Sequence, residues 1–286
     1  MNMVTTLLLF MAAFGASALG GVLGMASGIF IVPILTLLFG VNIHVAIGAS
    51  LVSVIACSCG STASFLKERL TNIRIAIVLE IATTLGALTG VFLIGTIQTT
   101  HLYGLFAAIL AISAQQMLAR RREAVDTNVP NTRSWATVLR LHSSFPDHAS
   151  GRDVPYNVVR VPLGLSLMYG AGLISALLGV GSGVLKIPAM DTALRLPIKV
   201  SSATSNFMIG VTAAASAAAY FIRGDIDIGI AGPVALGSVV GAIAGVRLLM
   251  GLPADKLRIF FVIVLGLLAT QMLMSAFGTH TTGTPA

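Results

Sequence analysis

The chain reads as an all-α polytopic membrane protein built from two related units, and three observations support this. First, residues 23–118 lie over residues 178–273 with a constant shift of 155 and no gap. About a quarter of the paired positions are identical, against roughly one in ten expected from composition. Second, 56% of the residues are hydrophobic, only 9% are charged, and mean hydropathy is +0.95. Soluble domains carry about a quarter charged residues. Third, long apolar stretches recur at 4–23, 45–66, 73–97, 101–119, 159–178, 200–222, 228–250 and 258–277. Each is near the ~20 residues that a helix needs to cross hydrocarbon.

Two shorter apolar runs, 29–41 and 184–196, reach only about 20 Å at 1.5 Å per residue, too little to cross upright. Counting them gives about ten segments, five per unit. The organisation expected is a first transmembrane repeat at 1–119, a cytoplasmic linker or cap at 120–158, a second repeat at 159–277 and a short extracytoplasmic tail at 278–286. The first stretch lacks a basic n-region, so it reads as a permanent helix and not a secretory signal. Cys57 and Cys59 lie two apart on one helix and face different sides, which makes them packing residues and not a disulfide.

Charge sets the orientation. Lys67, Arg69 and Arg74 flank one loop, and Arg120, Arg121, Arg122, Arg133, Arg140, Arg152 and Arg160 populate the centre. Arg195, Lys199, Arg247, Lys256 and Arg258 flank loops of the second copy. With short hairpins returning to the side they came from, all of these share one face, and Arg223 falls on the other. The positive-inside rule makes the first face cytoplasmic and puts both termini outside. The copies are then inverted: Lys67-Glu68-Arg69 is basic, while its counterpart Arg223-Gly224-Asp225-Ile226-Asp227 is acidic on balance. Oppositely oriented repeats with a site between them are a transporter architecture.

In the central segment, Val129-Pro130-Asn131, Phe145-Pro146-Asp147 and Ser150-Gly151-Arg152 read as turns. Val154–Val161 is rich in β-formers and reads as a short strand. His142 and His148 read as parts of a small cap and not as metal ligands.

Each copy places a Gly/Ser-rich tip between a long helix and a short one: Gly24-Met25-Ala26-Ser27-Gly28 before Pro33, and Gly179-Val180-Gly181-Ser182-Gly183 before Pro188. Backbone N–H groups at such a tip suit an anion. Irregular backbone at membrane depth survives only where it is buried or lines a cavity. The bland alternative is close helix packing through Gly-x-x-x-Gly spacing, which both tips also satisfy. Lys186 lies three residues past the second tip, and its counterpart is Ile31; a lysine inside an apolar run is a functional hypothesis by default. Its alternatives are snorkelling or a fixed pair with Asp191. The next helices carry matched polar runs, Gly48-Ala49-Ser50 and Ala203-Thr204-Ser205-Asn206, suited to an oxyanion or to helix–helix hydrogen bonds. Glu80, whose counterpart is Ala235, is the one acid well inside a first-copy helix. It is a candidate for a coupling proton, with pairing to an arginine or contact with water as the plainer readings. Candidate substrate residues are therefore Gly24, Ser27, Gly28, Ser50, Gly181, Ser182, Gly183, Lys186, Thr204, Ser205 and Asn206. The expected ligand is a small anion, and no cofactor, metal or nucleic acid is expected.

These tips, the matched prolines, Lys186-Ile187-Pro188, and Ala203-Thr204-Ser205-Asn206-Phe207-Met208-Ile209 followed by Tyr220-Phe221-Ile222-Arg223-Gly224 resemble the sulfite exporter TauE/SafE family over essentially the whole chain. The first tip departs from the family pattern, with Met25-Ala26-Ser27 where further glycines are usual, which shifts weight to the second. The resemblance implies a bacterial or archaeal plasma-membrane transporter of sulfite, organosulfonates such as sulfoacetate, or another small organic anion, working by alternating access. A passive small-anion channel is the alternative. A membrane enzyme is not expected, because the apolar segments hold no His/Asp/Glu cluster. Coupling ion and homo-oligomer formation stay open.

Overall fold

The computed structural model describes residues 3–23, 27–94, 99–118, 135–147, 152–179, 181, 183–249, 263 and 266–274. The helices are α1 (Met3–Leu23), α2 (Gly28–Pro33), α3 (Ile43–Lys67), α4 (Ile73–Ile94), α5 (Thr99–Leu118), α6 (Trp135–Val138), α7 (Val161–Leu178), α8 (Gly183–Ala189), α9 (Ile198–Ile222) and α10 (Ile228–Leu249). One small hairpin, β1 (Ser143–Asp147) with β2 (Arg152–Tyr156), sits in the central segment. Among the described residues, six helices are long and apolar enough to cross a membrane, and Gly28–Leu38 and His101–Ile112 are shorter apolar helices. The chain is a multi-pass membrane protein. Half of the stretch 258–277 lies outside the described residues, as do Arg120–Arg122, Val129–Asn131, Arg133, His148, Ser150, Gly151, Lys256, Arg258 and the tail 278–286.

The outward faces are apolar. Ile77, Ile81, Leu85, Leu88 and Phe92 form an exposed stripe along α4, and Met3, Val4, Leu7, Leu8 and Met11 do the same on α1. In water such stripes would be an aggregation surface; hydrocarbon is their natural solvent. Inside, close contact comes from glycines that let carbonyls of one helix press on the backbone of another. A Cβ added at Gly86 would stand 2.0 Å from the Tyr169 carbonyl oxygen, and one at Gly90 would stand 2.5 Å from that of Leu173. In the other half, a Cβ at Gly241 would stand 2.2 Å from the Phe14 oxygen, and one at Gly245 would stand 2.3 Å from that of Ala18.

These contacts are the same contact made twice. Under the 155-residue offset, Gly86 on Tyr169 becomes Gly241 on Phe14, and Gly90 on Leu173 becomes Gly245 on Ala18. Each copy's first helix therefore packs on the other copy's α4-type helix, and both pairs run parallel. The equivalent helices α3 and α9 run antiparallel: Gly48 abuts Asp225 beyond the end of α9, Gly210 packs on Ser58, and the Asn72 N–H beyond the end of α3 donates to Thr204 Oγ1 at 3.1 Å.

The short segments behave as their length demands. Pro33 ends α2 and Pro188 lies in the last turn of α8; each helix continues into a π-helical turn, at Ile34–Leu38 and Met190–Leu194. A proline supplies no N–H to the preceding turn, and the wider π turn accommodates that loss.

The central segment corrects one expectation. Phe145-Pro146-Asp147 is not a turn but part of β1, where Pro146 faces Asp153. A two-stranded sheet consists only of edges, so Pro146 can leave its missing donor on the outer side. The strand expected from 154 onward is β2 and ends at Tyr156, before α7. Phe145, Tyr156, Leu141 and Val158 pack with Ile75, Leu194, Leu196 and Val200, so the cap sits over the start of α4 and of α9. His142 fastens the cap: Nδ1 accepts from the Val158 N–H at 3.2 Å, and Nε2 lies 3.2 Å from Thr137 Oγ1.

Candidate functional site

The described parts of the two tips touch. Gly28 lies so close to Gly179 that a Cβ would fall 2.4 Å from its carbonyl oxygen, and the Ser50 hydroxyl donates to the same oxygen at 2.8 Å. Gly179 has φ +65°, the left-handed turn that glycine adopts at no steric cost and that releases the chain from α7. Gly181 and Gly183 are buried just beyond it. Gly24 and Ser182 lie outside the described residues.

Ser27 is buried, and its hydroxyl belongs to a chain of three. Ser238 Oγ donates to the Val234 carbonyl at 2.7 Å. A hydroxyl has one proton, so Ser53 must donate to Ser238 and Ser27 to Ser53, the latter at 2.7 Å. Ser27 and Ser50 thus serve contacts inside the protein, and so does Thr204, whose hydroxyl accepts from Asn72. Asn72 is a junction: its Oδ1 caps α4 at the Ile75 N–H, and its amide donates to Tyr156 Oη at 2.7 Å. Burial pushes the Tyr156 phenol above its usual range, opposed by that amide.

Ser205 and Asn206 differ. Both are buried, and Ser205 Oγ and Asn206 Nδ2 have no protein partner. Unsatisfied buried donors cost about 1–3 kcal/mol each, so they are groups with unused capacity for an acceptor.

Lys186 is fully buried, and the structure places its partner on another helix. Its Nζ lies 3.4 Å from Glu80 Oε2 and 2.6 Å from Thr212 Oγ1. Thr212 in turn donates to Glu80 Oε1, so one carboxylate, one ammonium and one bridging hydroxyl form a closed set. Thr84 Oγ1 adds a donor at 3.3 Å to the same Glu80 oxygen. The partner of Lys186 is therefore not Asp191, and that of Glu80 is not an arginine. α8 carries the lysine and α4 the acid, while α9 bridges them; 106 residues separate the charged pair in the chain.

Thr212, Ser53, Ser238 and Asn72 escaped sequence reasoning. A signal existed for Thr212: Thr204, Met208, Thr212 and Ser216 follow at intervals of four, one face of a helix carrying three hydroxyls. Among the described residues, no cluster of three or more His, Cys, Asp or Glu could hold a metal ion.

Comparison with known proteins agrees with this architecture. The chain is 26% identical over 222 residues to the probable membrane transporter protein YunE of Bacillus subtilis (strain 168), covering 74% of this chain and 77% of that one. It is 24% identical over 252 residues to the probable membrane transporter protein YdhB of the same organism, covering 88% and 94%. It is 26% identical over 249 residues to a probable membrane transporter protein of Xylella fastidiosa (strain 9a5c), covering 86% of each. No solved structure matches the chain. The profile of the family described as sulfite exporter TauE/SafE matches residues 9–272, and the chain belongs to that family.

Proposed function

We propose that the protein is a transporter that moves a small sulfur oxyanion or organosulfonate across a bacterial or archaeal plasma membrane by alternating access. The observation that carries this reading is Lys186: a cation with no exposed surface, one turn past a glycine tip, within an apolar run of a chain that is only 9% charged. Such a group is expensive in a membrane protein and persists where it serves an ion pathway. The unpartnered donors of Ser205 and Asn206, on the helix that also supplies Thr212, add neutral hydrogen-bonding capacity for an oxyanion. The backbone of Gly181 and Gly183 lies next to Lys186 in the chain. The family name supplies the substrate class, and the names of the relatives supply membrane transport.

The two copies act as inverted repeats in this reading. The antiparallel run of the equivalent helices α3 and α9 supports inversion, since parallel repeats would carry them the same way. The basic loop 67–72 lies by the central cap, which the positive-inside rule puts in the cytoplasm together with Arg140, Arg152 and Arg160. Rocking one half against the other about the contact between tips would then expose a midplane site to either side.

Radiolabelled sulfite and sulfoacetate flux into proteoliposomes tests this, with wild type beside Lys186→Ala. Saturable flux that the substitution abolishes in folded protein supports the transporter and its site. A current carrying many charges per opening, without saturation, would instead make it a channel. No flux of either anion would remove the substrate assignment.

A further inference from the structure

Glu80 and Lys186 hold each other, and the same lysine is the cation proposed for the substrate. Holding both anions at full charge on one buried cation is costly. Lys186 Nζ already contacts Glu80 Oε2 and Thr212 Oγ1, and only its third donor remains. An oxyanion that engages the ammonium closely must displace the carboxylate or share the cation with it. Two anions on one buried cation leave a net negative charge where hydration cannot screen it, which is the costliest arrangement available. Protonating Glu80 removes that charge.

We infer that Glu80 is the coupling residue of the anion site: it binds one proton when the substrate takes Lys186 and releases it when the substrate leaves. The inference rests on the transport reading above and adds its stoichiometry. Charge balances at every stage. With Glu80 on Lys186 the pair is neutral; with a monoanion on Lys186 and a proton on Glu80, the site is neutral again. Each anion therefore moves with one proton, and a monoanion crosses without net charge. Thr212 makes the exchange cheap in hydrogen bonds. Its hydroxyl donates to the carboxylate now, and can turn to the Met208 carbonyl, 3.1 Å away, when Glu80 becomes a neutral acid.

The surroundings of Glu80 leave this role to it. From α8 it faces Lys186, from α9 Thr212, and from its own helix Thr84. From α7 the titratable group is Tyr169, whose hydroxyl lies 3.1 Å from Thr89 Oγ1. Among the described residues, Lys186 is the one charged group within salt-bridge distance of Glu80. The acid side chain keeps 10% of its surface exposed while that of the lysine keeps none, so the acid is the less enclosed of the two. At the equivalent place in the other copy stand Ala235 and Ile31, which cannot titrate, so the stoichiometry is one and not two.

The test measures protons per sulfite in proteoliposomes holding a trapped pH dye, at matched sulfite flux, for wild type and Glu80→Gln. Sulfite titrates on its own, and the difference between the two proteins cancels that contribution. The expected result is one extra proton per sulfite in wild type, with a slower flux and no extra proton in the variant. Equal proton counts at measurable flux would overturn the inference and leave the transporter standing. Absence of sulfite flux in wild type would overturn both. If Glu80→Gln does not fold, sulfite-induced infrared difference spectra of wild type decide. A new protonated-carboxyl band that shifts in deuterated water supports the exchange, and its absence contradicts it.

Discussion

Lys186 and Ile31 occupy equivalent places in the two copies, Glu80 is matched by Ala235, and Thr212 by Cys57. Around one position the structure assembles a buried ammonium, carboxylate and hydroxyl; the equivalent residues of the other copy are an isoleucine, an alanine and a thiol. The packing does not differ in this way. Gly86 and Gly241 press on equivalent carbonyls, as do Gly90 and Gly245. The glycine contacts of the scaffold recur in both copies, while the buried charges occur in one. The comparison teaches that glycines set how the halves fit, and that the copies part at one buried triad, the group on which the proposed transport rests.

The largest effect should come from splitting the triad. Lys186→Met or Glu80→Met alone leaves a buried charge without its partner and should destabilise by about 3–5 kcal/mol. The double variant removes both charges and should recover most of that loss, which thermal unfolding in detergent will show as strong non-additivity. Next is the attempt to make the copies alike. Ile31→Lys places an unpartnered cation in an apolar site and should cost about 2.5–3.5 kcal/mol. Adding Ala235→Glu should restore part of it if the two positions meet as Lys186 and Glu80 do.

The scaffold variants should be smaller and equal. Gly86→Ala and Gly241→Ala each put a methyl against a carbonyl and should cost about 1–3 kcal/mol. Sulfite affinity in the folded fraction should stay unchanged, and unequal losses would weaken the two-fold relation. The smallest pair concerns helix caps. Asn72 caps α4 at Ile75, and its counterpart Asp227 accepts from the Gly229 N–H at 2.8 Å at the start of α10. Asn72→Ala and Asp227→Ala should each cost about 1 kcal/mol, with Asn72 slightly worse because it also holds Tyr156.

Much of the fold was legible in the sequence because its signals are local. Apolar length marked the long helices, glycine clusters marked the tips, and matched prolines marked the short arms that turn π-helical. Lys186 stood out because its counterpart is isoleucine. Its partner did not, since no local pattern joins residue 186 to residue 80; only the packing of α4, α8 and α9 brings them together. The hydroxyls of Ser27, Ser50 and Thr204 looked available for a substrate for a similar reason. Their protein partners, Ser53, Gly179 and Asn72, lie on elements whose neighbours are fixed by the tertiary fold. Pro146 misled in the opposite direction: a strong local turn signal yielded to a hairpin with only edge strands.

The most direct test of the central claim is saturable sulfite flux in proteoliposomes carrying the Lys186→Met/Glu80→Met double variant. That protein keeps the scaffold, the tips and the glycine contacts, and loses only the buried ion pair that the other copy lacks. The account predicts a folded protein without saturable sulfite flux. Flux at the wild-type rate would contradict it and return the site to the symmetric parts of the molecule.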